Sequence, residues 1–442
     1  MSHDLSQDKD SERHERKASP SGEPVSSSRR NFLVRSASLI ALGTAGLLVP
    51  PGHAEELEVP VDPMRVPGAL PRPYGDRSPF VKSARLGGAG PGAPHGWGAN
   101  APNNYNSLCP LQDLFGIVTP SSLHFERHHN GVPLIDRAQH RLLIHGLVER
   151  PMIFSVEELE RFPSSSRLVF LECSGNSWDG WREGTPDFLV QDTHGLTSCS
   201  EWTGVKLSTL LDAVGAGPEA TWLLAEGSDA AGLDRSVPLT SDVVNEAMIC
   251  YGQNGEPLRP EQGFPIRLLL PGFEGNINVK WLRRLKLGSA PSMTRWETSK
   301  YTDLMPDGKA YQFSLVMEAK SVITSPSGRQ QIQPGFQEIR GLAWSGRGKV
   351  QRVEVSMDGG RTWQPAQLQD PILPKCHTRF RIPWRWDGRE ALLQSRCIDE
   401  TGYVQPTRDA LIKVRGTNSI YHYNAVQSWK VDHDGRVRYT SA

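Results

Sequence analysis

The sequence lacks several motifs that would place it in a common class of protein. Its 442 residues contain no Cys-x-x-Cys-His, so the chain attaches no c-type haem by the usual motif. It has neither Gly-x-Gly-x-x-Gly nor Gly-x-x-x-x-Gly-Lys, the two commonest loops that cradle nucleotide phosphates. It also lacks a net charge, because 49 basic side chains balance 49 acidic ones. That balance removes the broad electrostatic attraction behind non-specific nucleic-acid binding, and we expect no nucleic-acid partner.

Cysteines are few for the length of the chain. The six are Cys109, Cys173, Cys199, Cys250, Cys376 and Cys397. In an exported chain this number suggests up to three disulfides, whereas one metal-binding thiolate would leave five and make full pairing impossible. Hydrophobic residues form 37% and charged residues 22% of the sequence, which is typical of a soluble globular protein with two or three domains.

The first 54 residues have the pattern of an export signal. Ser28-Arg29-Arg30-Asn31-Phe32-Leu33 is followed by an apolar run over residues 37–49, which gives way to small residues ending at Ala54. The run is too short to span about 30 Å of hydrocarbon comfortably. We predict a twin-arginine signal over residues 1–54, cleaved after Ala54, and hence a periplasmic protein with no membrane anchor after cleavage. An uncleaved membrane anchor is the alternative.

Composition divides the rest of the chain into four segments. Residues 55–104 are rich in glycine and proline, which predicts an extended arm. Residues 105–290 alternate short apolar runs with polar turns, which favours an α+β domain. Residues 291–425 contain spaced strands and few helical patterns, typical of an immunoglobulin-like β-sandwich. Residues 426–442 are predicted to form a C-terminal tail.

Local patterns predict individual elements within these segments. Strands are expected at residues 141–148, 168–172, 266–270, 350–357, 391–398 and 410–414, and helices at 156–161 and 207–214.

One stretch carries residue types suited to a metal site. The apolar strand at 168–172 ends at Cys173, and Gly175 permits a tight turn that would leave the thiol facing a cavity. A thiolate there is a good soft ligand for a transition metal. The alternative is an inert thiol, since free cysteines are commonly buried as small hydrophobic residues.

Three histidines suggest a second kind of metal site. His124 and His128 are four residues apart and His129 follows, a spacing that would suit zinc on a helix. Pro120 and Gly131-Val132-Pro133 favour a loop instead. Zinc is therefore the weaker interpretation.

Four segments together form a highly specific combination. They are His124-Phe125-Glu126-Arg127-His128-His129, then Glu172-Cys173-Ser174-Gly175-Asn176, then Glu201-Trp202-Thr203-Gly204-Val205, and finally Gly263-Phe264-Pro265-Ile266-Arg267 through Pro271-Gly272 to Val279-Lys280-Trp281. In this order they resemble the sulfite oxidase family of molybdenum enzymes, over roughly residues 105–425. The resemblance implies a molybdopterin-binding domain followed by a β-sandwich that mediates dimerisation.

The resemblance also implies a molybdenum–molybdopterin cofactor, with the metal held by a pterin dithiolene, two oxygen ligands and one protein thiolate. It implies that Cys173 is that thiolate, that Arg127 binds an oxyanion near the metal, and that Tyr301 is the active-site tyrosine. Fixed cations suit the cofactor's phosphate. The residues implied at the cofactor are Phe125, Arg127, His129, Cys173, Asp229, Gln262, Arg267, Asn278 and Lys280.

Two departures from the family pattern bear on the substrate. Trp178 stands where a second oxyanion-binding arginine is expected, and Gln262 stands where many members have histidine. An aromatic, less basic entrance suits a sulfur group carried on a protein arm better than free sulfite. The sequence is similar to the branch of the family that oxidises the sulfane sulfur of a cysteine persulfide on a carrier protein, with oxygen derived from water.

Electrons from such a reaction must leave the chain, because it has no haem motif of its own. We therefore predict a cytochrome c subunit as acceptor and a homodimer of this chain within a hetero-oligomer. A sulfite dehydrogenase with a separate cytochrome c is the nearest alternative. A methionine sulfoxide reductase of the same superfamily is another, but the predicted C-terminal β-domain argues against it.

A different class of function is suggested by Ser356-Met357-Asp358-Gly359-Gly360-Arg361-Thr362-Trp363, which matches the Asp-box of sialidase propellers. A propeller would repeat the box, and only one copy is present. The favoured interpretation is a hairpin turn with a packed tryptophan.

Overall fold

The computed structural model describes residues 70–87, 104–184 and 187–441. The predicted signal over residues 1–54 lies outside these ranges, as does most of the predicted arm over 55–104. The described residues from Arg77 onward form one compact unit. Within the described ranges, no helix has the length and apolar character needed to cross a membrane.

The first half of this unit consists mainly of strands with short helices between them. Its strands are β1 (Leu86–Gly87), β2 (Tyr105–Leu108), β3 (Glu126–His128), β4 (Arg141–Gly146), β5 (Met152–Ser155), β6 (Ser164–Glu172), β7 (Thr197–Lys206), β8 (Trp222–Gly227), β9 (Asp234–Pro238), β10 (Met248–Gln253), β11 (Glu256–Pro257), β12 (Arg267–Leu269), β13 (Leu282–Gly288), β14 (Asp303–Leu304) and β15 (Ala310–Tyr311). Its α-helices are α1 (Val156–Leu159), α2 (Val190–His194), α3 (Leu207–Val214), α4 (Ser241–Glu246) and α5 (Arg295–Thr298). Single turns of 3₁₀-helix cover Leu111–Asp113, Ser121–Leu123, Trp178–Trp181, Pro260–Gln262 and Gly275–Ile277.

Two five-stranded sheets form the centre of this half. One has the order β11-β10-β7-β6, with β12 also paired to β10, and the other has the order β5-β4-β13-β8-β9. A small sheet, β1-β2-β3, carries the segment with Arg127. Helix α3 buries Leu207, Leu210, Leu211 and Val214, a spacing that puts one apolar stripe against the core between the sheets. The predicted helix over 207–214 is confirmed.

The second half is a sandwich of two antiparallel sheets. Its elements are β16 (Lys320–Ser325), β17 (Gly335–Trp344), β18 (Val350–Ser356), β19 (Gln364–Pro365), β20 (Gln367–Gln369), β21 (Thr378–Trp386), β22 (Ala391–Asp399), α6 (Arg408–Arg415), β23 (Ser428–Val431) and β24 (Val437–Thr440). The sheet orders are β16-β17-β21-β20 and β19-β18-β22-β23-β24. Trp344, Phe380 and Trp429 lie in the shared core, each almost fully buried. An α+β domain followed by an immunoglobulin-like β-sandwich is confirmed.

Two details of the second half differ from the sequence prediction. Residues 426–442 were expected to be a tail, but β23 and β24 extend the sandwich, since β23 pairs with β22 and β24 with β23. Residues 410–414 were expected to be a strand but lie in α6. The Thr407 hydroxyl accepts a hydrogen bond from the Ala410 amide at 3.3 Å, the N-cap that starts this helix. The predicted strand began at residue 410, three residues after Thr407, so the prediction did not take this N-cap into account.

The Asp-box segment forms a turn between β18 and β19. Asp358 accepts hydrogen bonds from the Ser356 hydroxyl at 2.8 Å and from the Thr362 amide at 2.9 Å. The Trp363 indole donates to the Gly360 carbonyl at 3.0 Å. These contacts agree with the hairpin-turn interpretation.

A buried carboxylate joins the two halves of the molecule. Glu172, the last residue of β6, is fully buried and accepts hydrogen bonds from Lys320 at 2.6 Å, from the Trp344 indole at 2.7 Å and from the Asn176 amide at 2.9 Å. Lys320 begins β16 and is itself 1% exposed. The strand end that precedes Cys173 is therefore fixed to the second half by a buried ion pair.

We expect the Glu172–Lys320 pair to be needed for folding stability. Glu172→Gln should lower the free energy of unfolding by about 3–5 kcal/mol, because it leaves a buried ammonium without a counter-charge. Glu172→Gln with Lys320→Met should cost less than Glu172→Gln alone. Urea denaturation measures both. As a control, Asp387→Asn removes an exposed partner of Arg389 and should change little. A Glu172→Gln protein as stable as the wild type would contradict the expectation.

Buried histidines predict a loss of stability in acid. His377 is fully buried and its Nε2 lies 3.0 Å from the Thr197 hydroxyl; burial lowers the pKa of His377 to about 3. Below pH 6.5 the His377 ring is protonated in the unfolded chain, whereas in the folded chain it stays neutral down to about pH 3. Stability conferred by the neutral ring is therefore present above pH 6.5 and declines by about 1.4 kcal/mol per pH unit as the pH falls.

Replacing the ring tests this directly. His377→Gln keeps a side chain that can bond Thr197 but removes the titration. Its free energy of unfolding should fall less steeply than that of the wild type between pH 6 and 5, by about 1.4 kcal/mol per pH unit. Identical slopes for His377→Gln and wild type would refute this account.

Candidate active site

Cys173 lies where β6 ends, with its thiol facing a cavity. The Cys173 amide donates to the Leu196 carbonyl at 3.0 Å, and the Asn176 amide donates to the Cys173 carbonyl at 2.9 Å, which closes the tight turn predicted from the sequence. Gly275 allows another segment to approach this turn. A Cβ at Gly275 would lie 2.9 Å from the Glu172 carbonyl oxygen, so a side chain there would push the turn away.

Two adjoining cavities meet at Cys173. The wide cavity has a volume of about 420 Å³ and the narrow cavity about 60 Å³. Four residues line both of them: Arg127, His129, Cys173 and Tyr301. The three residues predicted to be catalytic are thus brought together at the junction.

Arg127 projects from the middle of β3 and is half-buried. Its guanidinium donates to the Asn104 side-chain oxygen and to the His128 carbonyl. These two acceptors are neutral, so they hold the group in place without cancelling its charge. The charge opposes the effect of burial on Cys173, because burial raises the pKa of this thiol while the Arg127 guanidinium lowers it.

His129 and Tyr301 form a direct pair across the junction. The His129 Nε2 lies 2.5 Å from the Tyr301 hydroxyl oxygen. Burial and the nearby Arg127 lower the pKa of His129 to about 2, and burial raises the pKa of Tyr301 well above its usual range. Both groups are therefore neutral near pH 7. Tyr301 has φ +52°, a strained backbone conformation that the surrounding contacts must maintain.

Lys280 fixes the strand that carries Arg127. Its ammonium donates to the Arg127 carbonyl at 3.1 Å, to His128 Nδ1 at 2.9 Å and to the Glu261 carbonyl at 3.0 Å. Burial lowers the pKa of Lys280 to about 7.

The same contacts exclude the zinc interpretation of the three histidines. His128 Nδ1 accepts a hydrogen bond from Lys280, and His128 Nε2 lies 3.1 Å from the Glu126 carboxylate. His129 is hydrogen-bonded to Tyr301. In the part of the chain that the structure describes, no group of three or more histidine, cysteine, aspartate or glutamate side chains could hold a metal ion. The spacing of four residues falls on a strand and its flanks, where it does not place two side chains on one helical face.

Arg267 lies in the wall of the narrow cavity and is 3% exposed. Its guanidinium donates to the Gln262 and Asn278 carbonyls, both at 3.0 Å, and lies 4.7 Å from the ring centre of Trp202. Burial lowers the pKa of Arg267 to about 10. The Gln262 side chain donates to the Phe125 carbonyl at 3.0 Å.

The remaining predicted cofactor residues also line the narrow cavity. Phe125 is 7% exposed and Asp229 is 8% exposed; the Asp229 carboxylate accepts from the Leu233 amide at 3.1 Å. The Asn278 side chain is hydrogen-bonded to the backbone: it accepts from the Leu270 amide at 2.6 Å and donates to the Glu274 carbonyl at 3.0 Å. It therefore braces the cavity wall, and a direct contact of Asn278 with a cofactor stays a prediction.

Sequence reasoning missed several residues of the wide cavity. They are contributed by distant segments and include Asn104, Trp296, Arg295 and Tyr421. The Trp296 and Tyr301 ring centres lie 6.2 Å apart, and those of Tyr421 and Tyr301 lie 5.4 Å apart. Trp296 stands five residues before Tyr301, and this short separation is a feature of the sequence that could have indicated its place in the site.

Comparisons with known proteins agree with this site. Residues 129–296 match the family described as oxidoreductase molybdopterin binding domain, and residues 312–429 match the Mo-co oxidoreductase dimerisation domain. The solved sulfane dehydrogenase SoxCD of Paracoccus pantotrophus superposes with a TM-score of 0.80 and is 42% identical. That match covers 88% of this chain and 99% of the solved chain.

Sulfite oxidases are similar along most of the chain. The Gallus gallus sulfite oxidase is 30% identical over 78% of this chain and 81% of its own length. The mitochondrial sulfite oxidase of Rattus norvegicus is 31% identical over 72% of this chain, and the match spans 63% of the rat protein. Fold and site together define a molybdopterin-dependent oxidoreductase. The chain belongs to the sulfite oxidase family, which confirms the resemblance seen in its motifs.

The residues present fit a molybdopterin cofactor. Arg267 is a buried cation and Lys280 a half-buried one, and among the described residues their hydrogen bonds go to neutral acceptors alone. Buried cations without a carboxylate partner favour an anion such as a phosphate. Arg267 Nε and His124 Nε2 are also buried without a partner in the described ranges. Cys173, at the junction, is the predicted soft ligand for the metal.

We expect Cys173→Ser to abolish turnover and leave the fold intact. A serine hydroxyl is a hard, protonated group and a poor substitute for a thiolate on a transition metal. Measurements of activity, molybdenum per chain and circular dichroism test this. Cys109→Ser is the matched control, because the Cys109 thiol already bonds the Ser198 and Thr119 hydroxyls and a serine can keep those bonds. Full activity in Cys173→Ser would refute the ligand assignment.

Proposed function

We propose that this protein oxidises the sulfane sulfur of a cysteine persulfide held on a carrier protein, with oxygen derived from water, and passes the electrons to a partner cytochrome c. The observation that carries the proposal is the position of Trp178 in the wall of the wide cavity, which Cys173 also lines. The Arg182 guanidinium lies 4.1 Å from the centre of the Trp178 ring. An indole in this wall replaces a direct anion contact by an apolar surface suited to a thiol-bearing arm.

The dimensions of the wide cavity support a substrate delivered on an arm. Its volume of about 420 Å³ exceeds what a four-atom anion needs and is within the range of small-molecule sites. Trp178 and Trp296 provide aromatic surface in its wall. The 42% identity with a sulfane dehydrogenase, over nearly all of that chain, supports the same substrate class.

When bound, the cofactor supplies oxygen-atom transfer to sulfur and accepts two electrons. Arg127 orients the sulfur group, since its guanidinium is anchored by neutral acceptors and keeps its charge for an anionic substrate. Tyr301 hydrogen-bonds the oxyanion that develops on the substrate. In the tautomer that carries its proton on Nε2, neutral His129 donates to the phenol oxygen and leaves the phenol O–H for the substrate.

The assembly and location belong to the same proposal. The match to a dimerisation domain over residues 312–429 supports a homodimer of this chain, and the SoxCD neighbour supports a hetero-oligomer. We infer a cytochrome c subunit as its partner because the sequence carries no haem motif. The twin-arginine pattern at Arg29 and Arg30 favours export to the periplasm.

Free sulfite is the second candidate substrate. Three basic side chains, Arg127, Arg295 and Lys300, line the wide cavity, and such cations favour a doubly charged anion.

Initial rates separate the two candidates. The molybdenum-loaded protein is assayed with cytochrome c as acceptor, once with a persulfidated carrier protein and once with sulfite. The proposal requires a larger kcat/KM for the persulfide. A larger value for sulfite would favour the second candidate, and the absence of turnover on either would contradict both.

We expect Trp178→Arg to shift the substrate preference toward sulfite. A guanidinium in the wide cavity adds a charge-assisted hydrogen bond to the anion, which should raise kcat/KM for sulfite by about tenfold. It should lower kcat/KM for the persulfidated carrier by removing apolar surface. Trp178→Phe is the control and should keep the original preference. Equal effects of Trp178→Arg and Trp178→Phe on both substrates would contradict the role given to the indole.

A further inference from the structure

A fully buried arginine lies outside both cavities. Arg235, on β9, is 0% exposed. Its Nε donates to Glu297 Oε1 at 3.0 Å and its Nη2 donates to Glu274 Oε1 at 3.2 Å. It lines neither cavity, so it is not placed to touch a substrate or the cofactor.

This guanidinium packs against the ring of Tyr301. The Arg235 Cζ lies 4.9 Å from the centre of that ring, within the distance for a cation–π interaction. Tyr301 lines both cavities at their junction. Because Tyr301 has a strained backbone with φ +52°, its position depends on such contacts.

The first carboxylate partner fixes the segment that leads to Tyr301. Glu297 belongs to α5, four residues before the tyrosine, and is 1% exposed. Its Oε1 accepts from Arg235 and also from the Ser236 amide at 2.6 Å. Helix α5 is thereby tied to β9, and the chain that continues to Tyr301 begins from a fixed point.

The second carboxylate partner leads to the turn that carries Cys173. Glu274 Oε2 accepts from the Asn276 side-chain amide at 2.8 Å, and that amide lies 3.0 Å from the Ser174 hydroxyl. Ser174 adjoins Cys173 in the chain. Arg235 therefore bridges, through buried polar contacts, the tyrosine and the proposed metal ligand.

Folding stability alone does not explain why an arginine is buried at position 235. Replacing a buried ion-pair cluster by apolar side chains of similar volume is often neutral or stabilising, because the charges lose their hydration. The Nη1 of Arg235 is buried without a hydrogen-bond partner in the described part of the chain, which adds to that cost. What the buried contacts of Arg235 do provide is a fixed connection between Tyr301 and the turn that carries Cys173.

We propose that Arg235 is a positioning residue that holds the Tyr301 phenol toward the junction of the two cavities and sets its distance from Cys173. The inference rests on the proposed function, since it takes Tyr301 to act on the sulfur substrate. Arg235 acts through the tyrosine and not on the substrate itself.

Two variants at Arg235 test the proposal. Arg235→Lys keeps the charge but loses the planar fork that reaches both carboxylates. Arg235→Met with Glu297→Gln removes the charge together with one carboxylate, so that the remaining Glu274 keeps Asn276 and His422 as partners. Each is made in the wild-type chain and in a Tyr301→Phe chain, with molybdenum content and circular dichroism checked first.

The kinetic readout is a double-mutant cycle. In the wild-type chain the charge-removing variant should lower kcat by about tenfold with KM little changed, because the phenol is misplaced. Arg235→Lys should recover part of that loss. In the Tyr301→Phe chain the same substitutions should change kcat less than about twofold, since interacting residues are non-additive. An equal fold-loss in both backgrounds would overturn the proposal.

A second readout needs no substrate. The chain labelled with 3-fluorotyrosine gives fluorine resonances, and the loss of one in Tyr301→Phe assigns that residue. In the Arg235 variants the Tyr301 resonance should shift or broaden, while that of Tyr439, in β24, should not. An unmoved Tyr301 resonance overturns the proposal. If the wild type turned over neither sulfur substrate, the proposed function would fail, and this measurement would still decide the role of Arg235.

Discussion

The geometry of the site depends on the buried carboxylate of Glu172. Its two oxygens accept hydrogen bonds from Lys320, Trp344 and Asn176, so the end of β6 is attached to the first strand of the sandwich and to the turn that follows. Cys173 is the next residue. The second half therefore does more than offer a surface for association, because its side chains hold the strand end from which the proposed metal ligand projects.

The second feature that defines the site is positive charge whose hydrogen bonds, among the described residues, go to neutral acceptors. Lys280 and Arg267 are cations in a narrow cavity, and burial lowers the pKa of each. His129 and Tyr301 are neutral there for the same reason. An anionic cofactor would compensate the cations and relieve that cost. The neutral pair is left to form hydrogen bonds at the junction, where Arg127 lines both cavities and supplies a positive charge toward a sulfur group.

Much of the site could be predicted from the sequence because its members lie in short motifs whose order along the chain resembles that of a known family. Arg127, Cys173, Arg267 and Lys280 were all found in this way. Arg235 and the Glu172–Lys320 pair were not, because their partners are far apart in sequence and a single chain shows no pattern that links them. Likewise β23 and β24 were taken for a tail, since four-residue strands have weak local signals and are fixed by pairing, β23 with β22 and β24 with β23.

The central claim is that Cys173 binds the metal from the end of β6. X-ray absorption at the molybdenum edge tests it most directly by counting sulfur neighbours. The account predicts about three sulfurs in the wild-type protein, two from the pterin dithiolene and one from Cys173, and about two in Cys173→Ser. The same sulfur count in both proteins would contradict it.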